Sequence, residues 1–252
     1  MLPTRLPVAR QNRKVNVTES LVFNFVVSRW NAWTPGGAGD ISLPQDKAVV
    51  PGPIPKMLQR RLSPLARAVF NSADNCIVNG EQLPTVFSSA NGEICKSLEM
   101  LKAIQAGEEV SPTAFSLSVH NAIAGLFSIV HANQQEVTVI APGQEGIAPA
   151  FIEALGILHE GADAVLLVLY DEPMADFYPV FPFNLNVDST CALTLKIALT
   201  GEGLPLQFSR SSTARDDGEQ PLQLLAFLRF LLAGDKSLIL GNQGHGWRWQ
   251  KR

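Results

Sequence analysis

Charge is what this chain has least of. Lys and Arg number 20 and Asp and Glu 23, 17% of 252 residues, against a usual share of about 25%. So few charges, at a mean hydropathy of +0.11, leave apolar surface for another protein to cover, and an obligate complex is expected. The net charge is −3 with lysines and arginines scattered, which excludes the basic footprint of a nucleic-acid binder. Cysteine is equally sparse. Cys76, Cys95 and Cys191 are odd in number and unrelated in spacing, which excludes a disulfide framework and any C-x-x-C metal or redox site and implies a reducing compartment. No apolar run reaches the roughly 20 residues of a membrane span. The most apolar, Leu222–Ala233, contains Gln223 and Arg229 and reads as a buried helix. Pro3 and Pro7 split the first apolar residues, so no secretory signal is expected and the cytoplasm is the default.

What is present reads as one domain over 1–252. LVFNFVVSRW, from Leu21 to Trp30, is a strand, and the Gly/Pro-rich stretch 35–55 is a surface loop. Ser63-Pro64 starts a helix that ends near Ala73, with Leu65 and Val69 on one face. A short strand, TVFSS over 85–89, turns through Asn91-Gly92 into a helix with Ile94, Leu98, Leu101 and Ile104 at helical spacing, stopped by Gly107. Residues 118–129 read as a buried helix whose Ala122, Ala124 and Gly125 allow close approach of another backbone. Val137–Ala141 is a strand, after which Gln144 opens a helix that stops at Gly161. The run from Asp163 to Asp171 is apolar on both faces, the pattern of a central strand covered by helices on both sides. Cys191–Leu199 is a further strand, 201–219 a surface loop, and Ser237–Leu240 a last short strand. Trp247 and Trp249 belong to an aromatic tail docked on this domain or on a partner. The sum is an α/β fold, a mixed sheet covered by helices.

Several chemical patterns are incomplete. Ser88, Ser89 and Ser118 with His120 lack a Gly-x-Ser-x-Gly elbow, so no serine triad is expected. Gly143-Gln144-Glu145-Gly146 lacks the Lys-Ser/Thr pair of a phosphate loop. The paired carboxylates Asp171-Glu172 and Asp216-Asp217 read as a solvated strand end and a loop. His120 reads as a buried, hydrogen-bonded histidine or one at a subunit seam, His131 and His159 as surface or helix-end residues, and His245 as a turn histidine. No metal site and no cofactor are expected.

Ser111-Pro112, Phe115, Asn121 followed by Ala124-Gly125, the turn Pro142-Gly143-Gln144-Glu145-Gly146, and Gly161-Ala162-Asp163 with its strand to Asp171-Glu172 resemble the N-terminal half of β-ketoacyl synthases of the thiolase superfamily. The match is best from Val86 to Tyr170. This resemblance implies a single thiolase-like half, lacking the second half and its two catalytic histidines. It also places the family's catalytic cysteine position on Gln144. A thiolate at a helix N-terminus attacks a thioester and leaves again. A primary amide does neither, although it donates and accepts hydrogen bonds. Glutamine here is similar to the chain-length factors, the non-catalytic partners of type II polyketide ketosynthases, and the short chain resembles the small version of bacterial aryl polyene clusters. The resemblance implies a catalytic ketosynthase as heterodimer partner, joined through the edge strand Val137–Ala141 with Val139 at the seam. It further implies an acyl carrier protein that delivers the growing acyl chain to the complex. The tunnel wall and interface would come from Gly92, Cys95, Ala114, Phe115 and His120. A reading from another class is an independent acyltransferase or hydrolase using Cys95, which lies inside its helix rather than at its start.

Overall fold

A computed structural model describes residues 21–34, 54–78, 80–143, 145–173, 190–212, 220–242 and 244–252. Most of the expected 35–55 loop, Gln144 and the Asp216-Asp217 pair lie outside these residues. The chain runs through β1 (Val22–Trp33), α1 (Lys56–Gln59), α2 (Pro64–Asp74), β2 (Thr85–Ser88), α3 (Ile94–Gln105), α4 (Pro112–Ser116) and α5 (Ala122–His131). It continues through β3 (Val137–Ile140), α6 (Ala148–His159), β4 (Val165–Asp171), β5 (Cys191–Ala198), β6 (Leu204–Ser211), α7 (Gln220–Leu232), β7 (Ser237–Asn242) and β8 (His245–Lys251). All eight strands form one sheet in the order β3-β2-β4-β5-β1-β6-β8-β7. β2 pairs in parallel with β3 and β4, and the remaining pairs are antiparallel.

The uniformly apolar β4 explains the layering. Val165, Leu167 and Leu169 join a core with Phe151 of α6, Phe227 of α7 and Trp249 of β8. Leu166, Val168 and Tyr170 join a second core with Phe70 of α2 and Phe127 of α5. Helices therefore cover both faces, as a strand without polar alternation requires. Removing a ring such as Phe151 from this packing costs about 3–5 kcal/mol. Local signals set the helix ends. Ser63 Oγ accepts the Ala66 N–H at 2.9 Å to cap α2, with Pro64 at its first position, an arrangement that satisfies an orphan donor without losing a needed one.

The structure corrects five sequence expectations. The 201–219 loop contains β6, whose Leu206 and Phe208 are buried between β1 and β8. The aromatic tail docks on its own domain, one of the two expected places, but as a strand, β8, which buries Trp247 and Trp249 against Phe208 and Phe151. Helix α6 starts at Ala148 rather than at Gln144, because Gly146 at φ +58° breaks the helical path in the turn before it. The helix expected over 118–129 begins at Ala122 and is half-covered, with Gly125 and Ile129 facing outward. In α3 only Leu98 is buried, while Leu101 and Ile104 are more than half exposed.

Candidate functional site

The parallel strands β3, β2 and β4 end side by side, and in open α/β sheets such carboxyl ends are where ligand sites are built. Polar groups collect at those of β2 and β4. Asp171, 1% exposed, closes β4, and its Oδ1 accepts the Ser89 hydroxyl at 2.7 Å and the N–H groups of Ala90 at 2.9 Å and Asn91 at 3.3 Å. Ser89 Oγ in turn accepts the Gly92 N–H at 2.7 Å, and the Ser89 carbonyl lies 2.8 Å from His120 Nε2. The turn between β2 and α3 is thus fixed by β4 from one side and by the segment before α5 from the other. Asp171 and Glu172 are buried, not solvated. Their partners lie some eighty residues earlier, where local sequence gives no sign of them.

This arrangement is not a hydrolytic triad. The Ser89 hydroxyl spends its proton on Asp171, and His120 addresses the Ser89 carbonyl instead of the hydroxyl. A general base must reach the nucleophile's proton. Nor is Cys95 an activated thiol. Its backbone N–H donates to Glu172 Oε1 at 3.3 Å and its Sγ lies 3.9 Å from the Pro173 carbonyl. Burial, followed by the neighbouring Glu172 carboxylate, pushes the thiol up to about 12. Reactive cysteines have the opposite shift. Burial likewise holds the Glu172 carboxyl above its ordinary range.

Gly92 sits at φ +56°, and a Cβ there would lie 2.9 Å from His120 Cδ2, so its open side is filled by the imidazole. Gly92, Ser89 and His120 are therefore brought together, and Cys95, expected inside its helix, is instead the second residue of α3, at its start, because the helix begins only at Ile94. Ala114 stands apart, in a groove of about 570 Å³ between α3 and α4 lined also by Arg60, Arg61, Met100 and Leu117. Phe115 is 57% exposed. Val139 lies on β3, the edge strand of the parallel end, half-buried beneath α5.

The start of α6 is held by Gln223, which the sequence placed only in a buried helix. Gly146 N–H donates to the Gly143 carbonyl at 3.1 Å, and Ile147 N–H donates to Gln223 Oε1 of α7 at 3.2 Å. His245 Nδ1 lies 3.8 Å from Glu145 Oε1 and accepts from Arg210 Nη2 at 3.2 Å. The Arg210 guanidinium sits 5.1 Å from the Trp247 ring centre. His245 is the first residue of β8 rather than a turn histidine, and it lies near Glu145 ahead of α6. Among the described residues no group of three or more His, Cys, Asp or Glu suits a metal ion, and no helix is long and apolar enough to cross a membrane.

Comparison with known proteins bears on this geometry. The sequence model described as β-ketoacyl synthase, N-terminal domain, matches residues 30–250. No curated protein matches the chain. Among solved structures, a ketosynthase in complex with its chain length factor from Xenorhabdus doucetiae aligns with a TM-score of 0.73 and 22% identity, over 90% of this chain and 99% of that one. The ishigamide ketosynthase/chain length factor aligns at 0.56 and 15%, over 77% and 69%. A β-ketoacyl synthase from Burkholderia phymatum STM815 aligns at 0.53 and 12%, over 70% and 59%. At these identities the likeness is one of fold.

Proposed function

Because the chain belongs to the β-ketoacyl synthase N-terminal domain family and folds as a single thiolase-like half of a ketosynthase, we propose that it is a chain-length-factor-like subunit. It pairs in the cytoplasm with a catalytic β-ketoacyl-[acyl carrier protein] synthase and shapes that enzyme's acyl tunnel, in polyketide, aryl polyene or fatty-acid-like biosynthesis. The observation that carries this reading is Gln144, which falls between β3 and α6 in the sequence, at the position the resemblance assigns to the family's nucleophile. An amide has no electron pair poised to open a thioester and no capacity to leave as a thiolate does. Burial and the Glu172 carboxylate push the Cys95 thiol up to about 12, the direction opposite to that of an activated nucleophile.

The partner surface follows from the sheet. β3 has β2 on one side and nothing on the other among the described residues. Such an edge offers unpaired N–H and C=O groups to a second chain. The helices before and after it, α5 and α6, present exposed Ile129 and Ile152, and continuation of the sheet across this edge accounts for the low charge. The groove beside Ala114, where Met100, Val110 and Leu117 stand among the charged Arg60, Arg61 and Lys96, is the surface assigned to the growing acyl chain carried by the acyl carrier protein. Two experiments test the reading. Co-expression with a ketosynthase followed by size-exclusion chromatography should yield a heterodimer, and the chain alone should not condense malonyl- and acyl-carrier protein. Condensation by the pure chain, lost on Cys95→Ala, would overturn the proposal in favour of an independent acyltransferase.

A further inference from the structure

We propose that Gln223 of α7 is the positioning residue of the β3–α6 turn, supplying from the far end of the chain the cap that α6 lacks. A helix leaves its first N–H groups without internal partners, and a Ser, Thr, Asp or Asn at the N-cap ordinarily accepts one of them. In α6 the N-cap position is Ile147, which has no side-chain acceptor. Its own N–H is buried and donates to Gln223 Oε1 at 3.2 Å. Gln223 is 1% exposed and comes 76 residues later in the chain. The fit is tight on the neighbouring residue too. A Cβ on Gly146 would lie 2.0 Å from Gln223 Oε1, 2.2 Å from Cδ and 2.4 Å from Nε2. Glycine is therefore required there twice, for its φ of +58° and for the space the amide occupies.

Arg210 of β6 donates to His245 Nδ1 at 3.2 Å, and the same nitrogen stands 3.8 Å from Glu145 Oε1, too far for a hydrogen bond, so the buried contact to the start of α6 is the one from Gln223. The start of α6 at Gly146 and Ile147 is thus held by α7 as well as by the local bond from Gly146 to Gly143. Its consequence for product formation rests on the function proposed above. The positioning itself does not.

The test is amide hydrogen exchange on the full-length chain, read at Ile147 and, as an internal standard, along β4. In the unmutated protein Ile147 should be protected, and free exchange there would overturn the proposal outright. Gln223→Leu keeps most of the volume and removes the acceptor, so Ile147 exchange should rise about tenfold while β4 is unchanged. Gln223→Glu retains an acceptor oxygen and should keep the protection. Ile147 still protected in Gln223→Leu, or Ile147 and β4 accelerating together in every variant, would reduce Gln223 to ordinary core filling and sink the inference. Gly146→Ala supplies a check that needs no folded Gln223→Leu. Its cost in stability should shrink in a Gln223→Ala background, and additive losses would count against the contact. In the assembled complex, Gln223→Leu should alter the product distribution at unchanged heterodimer yield. Failure to assemble any heterodimer with unmutated chain would instead count against the proposed function.

Discussion

Ser89 and Asp171 tie the ends of two neighbouring strands together: the serine hydroxyl at the end of β2 donates a 2.7 Å hydrogen bond to the carboxylate that closes β4. The same oxygen also takes the N–H groups of Ala90 and Asn91. Asp171→Ala leaves a hydroxyl and two backbone donors without this acceptor in a buried site. Stability should fall by about 3 kcal/mol, the scale of stranded buried donors, read as a lower urea midpoint at unchanged slope. A loss within experimental error would mean that water or a neighbour replaces the carboxylate.

Glu172 gives stability a pH dependence of definite sign. Burial is the largest influence on it and raises its folded-state pKa above the ordinary value of 4.5, a hydrogen bond from Cys95 works against this, and the Glu93 carboxylate adds to it. The folded state then holds the proton more tightly than the unfolded one, so stability is full at low pH and is lost as pH rises from about 4.5 through the folded pKa. Glu172→Gln still accepts from the Cys95 N–H and should flatten this slope, giving a more stable protein at neutral pH. Parallel stability curves for the two proteins would contradict it.

Cys95 should react slowly despite its partial exposure. With its thiol pushed up to about 12, iodoacetamide labelling, located by peptide mass spectrometry, should be far slower than that of free glutathione at neutral pH and still climbing at pH 10. A rate that levels off near pH 8 would restore Cys95 as a candidate nucleophile.

The seam can be probed by placing charge on it. Val139→Lys on the edge strand and Ile129→Lys, at a side chain 68% exposed, should each weaken the heterodimer about tenfold or more, since burying an unpaired ammonium costs more than the 1.4 kcal/mol that a decade represents. Glu202→Lys, on an exposed turn, should leave affinity unchanged. Equal affinities for all three, measured by titration of tagged partner, would move the interface elsewhere.

Ala114 borders the groove between α3 and α4. A phenyl ring there, with about 150–250 Å² of surface, should block the longest intermediates and leave early condensations intact. Mass spectrometry of acyl chains on the carrier protein should show shorter products from an Ala114→Phe complex. An unchanged length distribution from a correctly assembled complex would leave this chain as a structural stabiliser only.

Much of the fold was legible because it is written locally. Ser63-Pro64 announces α2, and the run from Val165 to Tyr170 can only be a strand with both faces covered. β6 was hidden because Gly201, Gly203 and Pro205 crowd its start, although Leu206 and Phe208 alternate with Gln207 and Ser209. β8 was hidden because aromatic residues near a chain end look alike whether they form a strand or a tail. The site was less legible than the fold. Asp171 and Glu172 looked like solvated carboxylates, since the donors that bury them come from residues 89–95. His245 and Gln223 gave no local hint of reaching the β3–α6 turn, because tertiary pairing alone puts them there.

The sheet order also dictates when the protein can fold. β1 is an interior strand, yet Trp33 pairs with Ala192 of β5 and Val22 with Ser209 of β6. At translation rates of about 5–20 residues per second, β1 emerges roughly 8–35 s before its neighbours. Throughout that interval Phe25 and Val27 have no strand to pair with, so long-range loop closure must precede completion of the sheet, a topology that slows folding. Premature release before Cys191 yields a polypeptide whose central strand is bare on both sides.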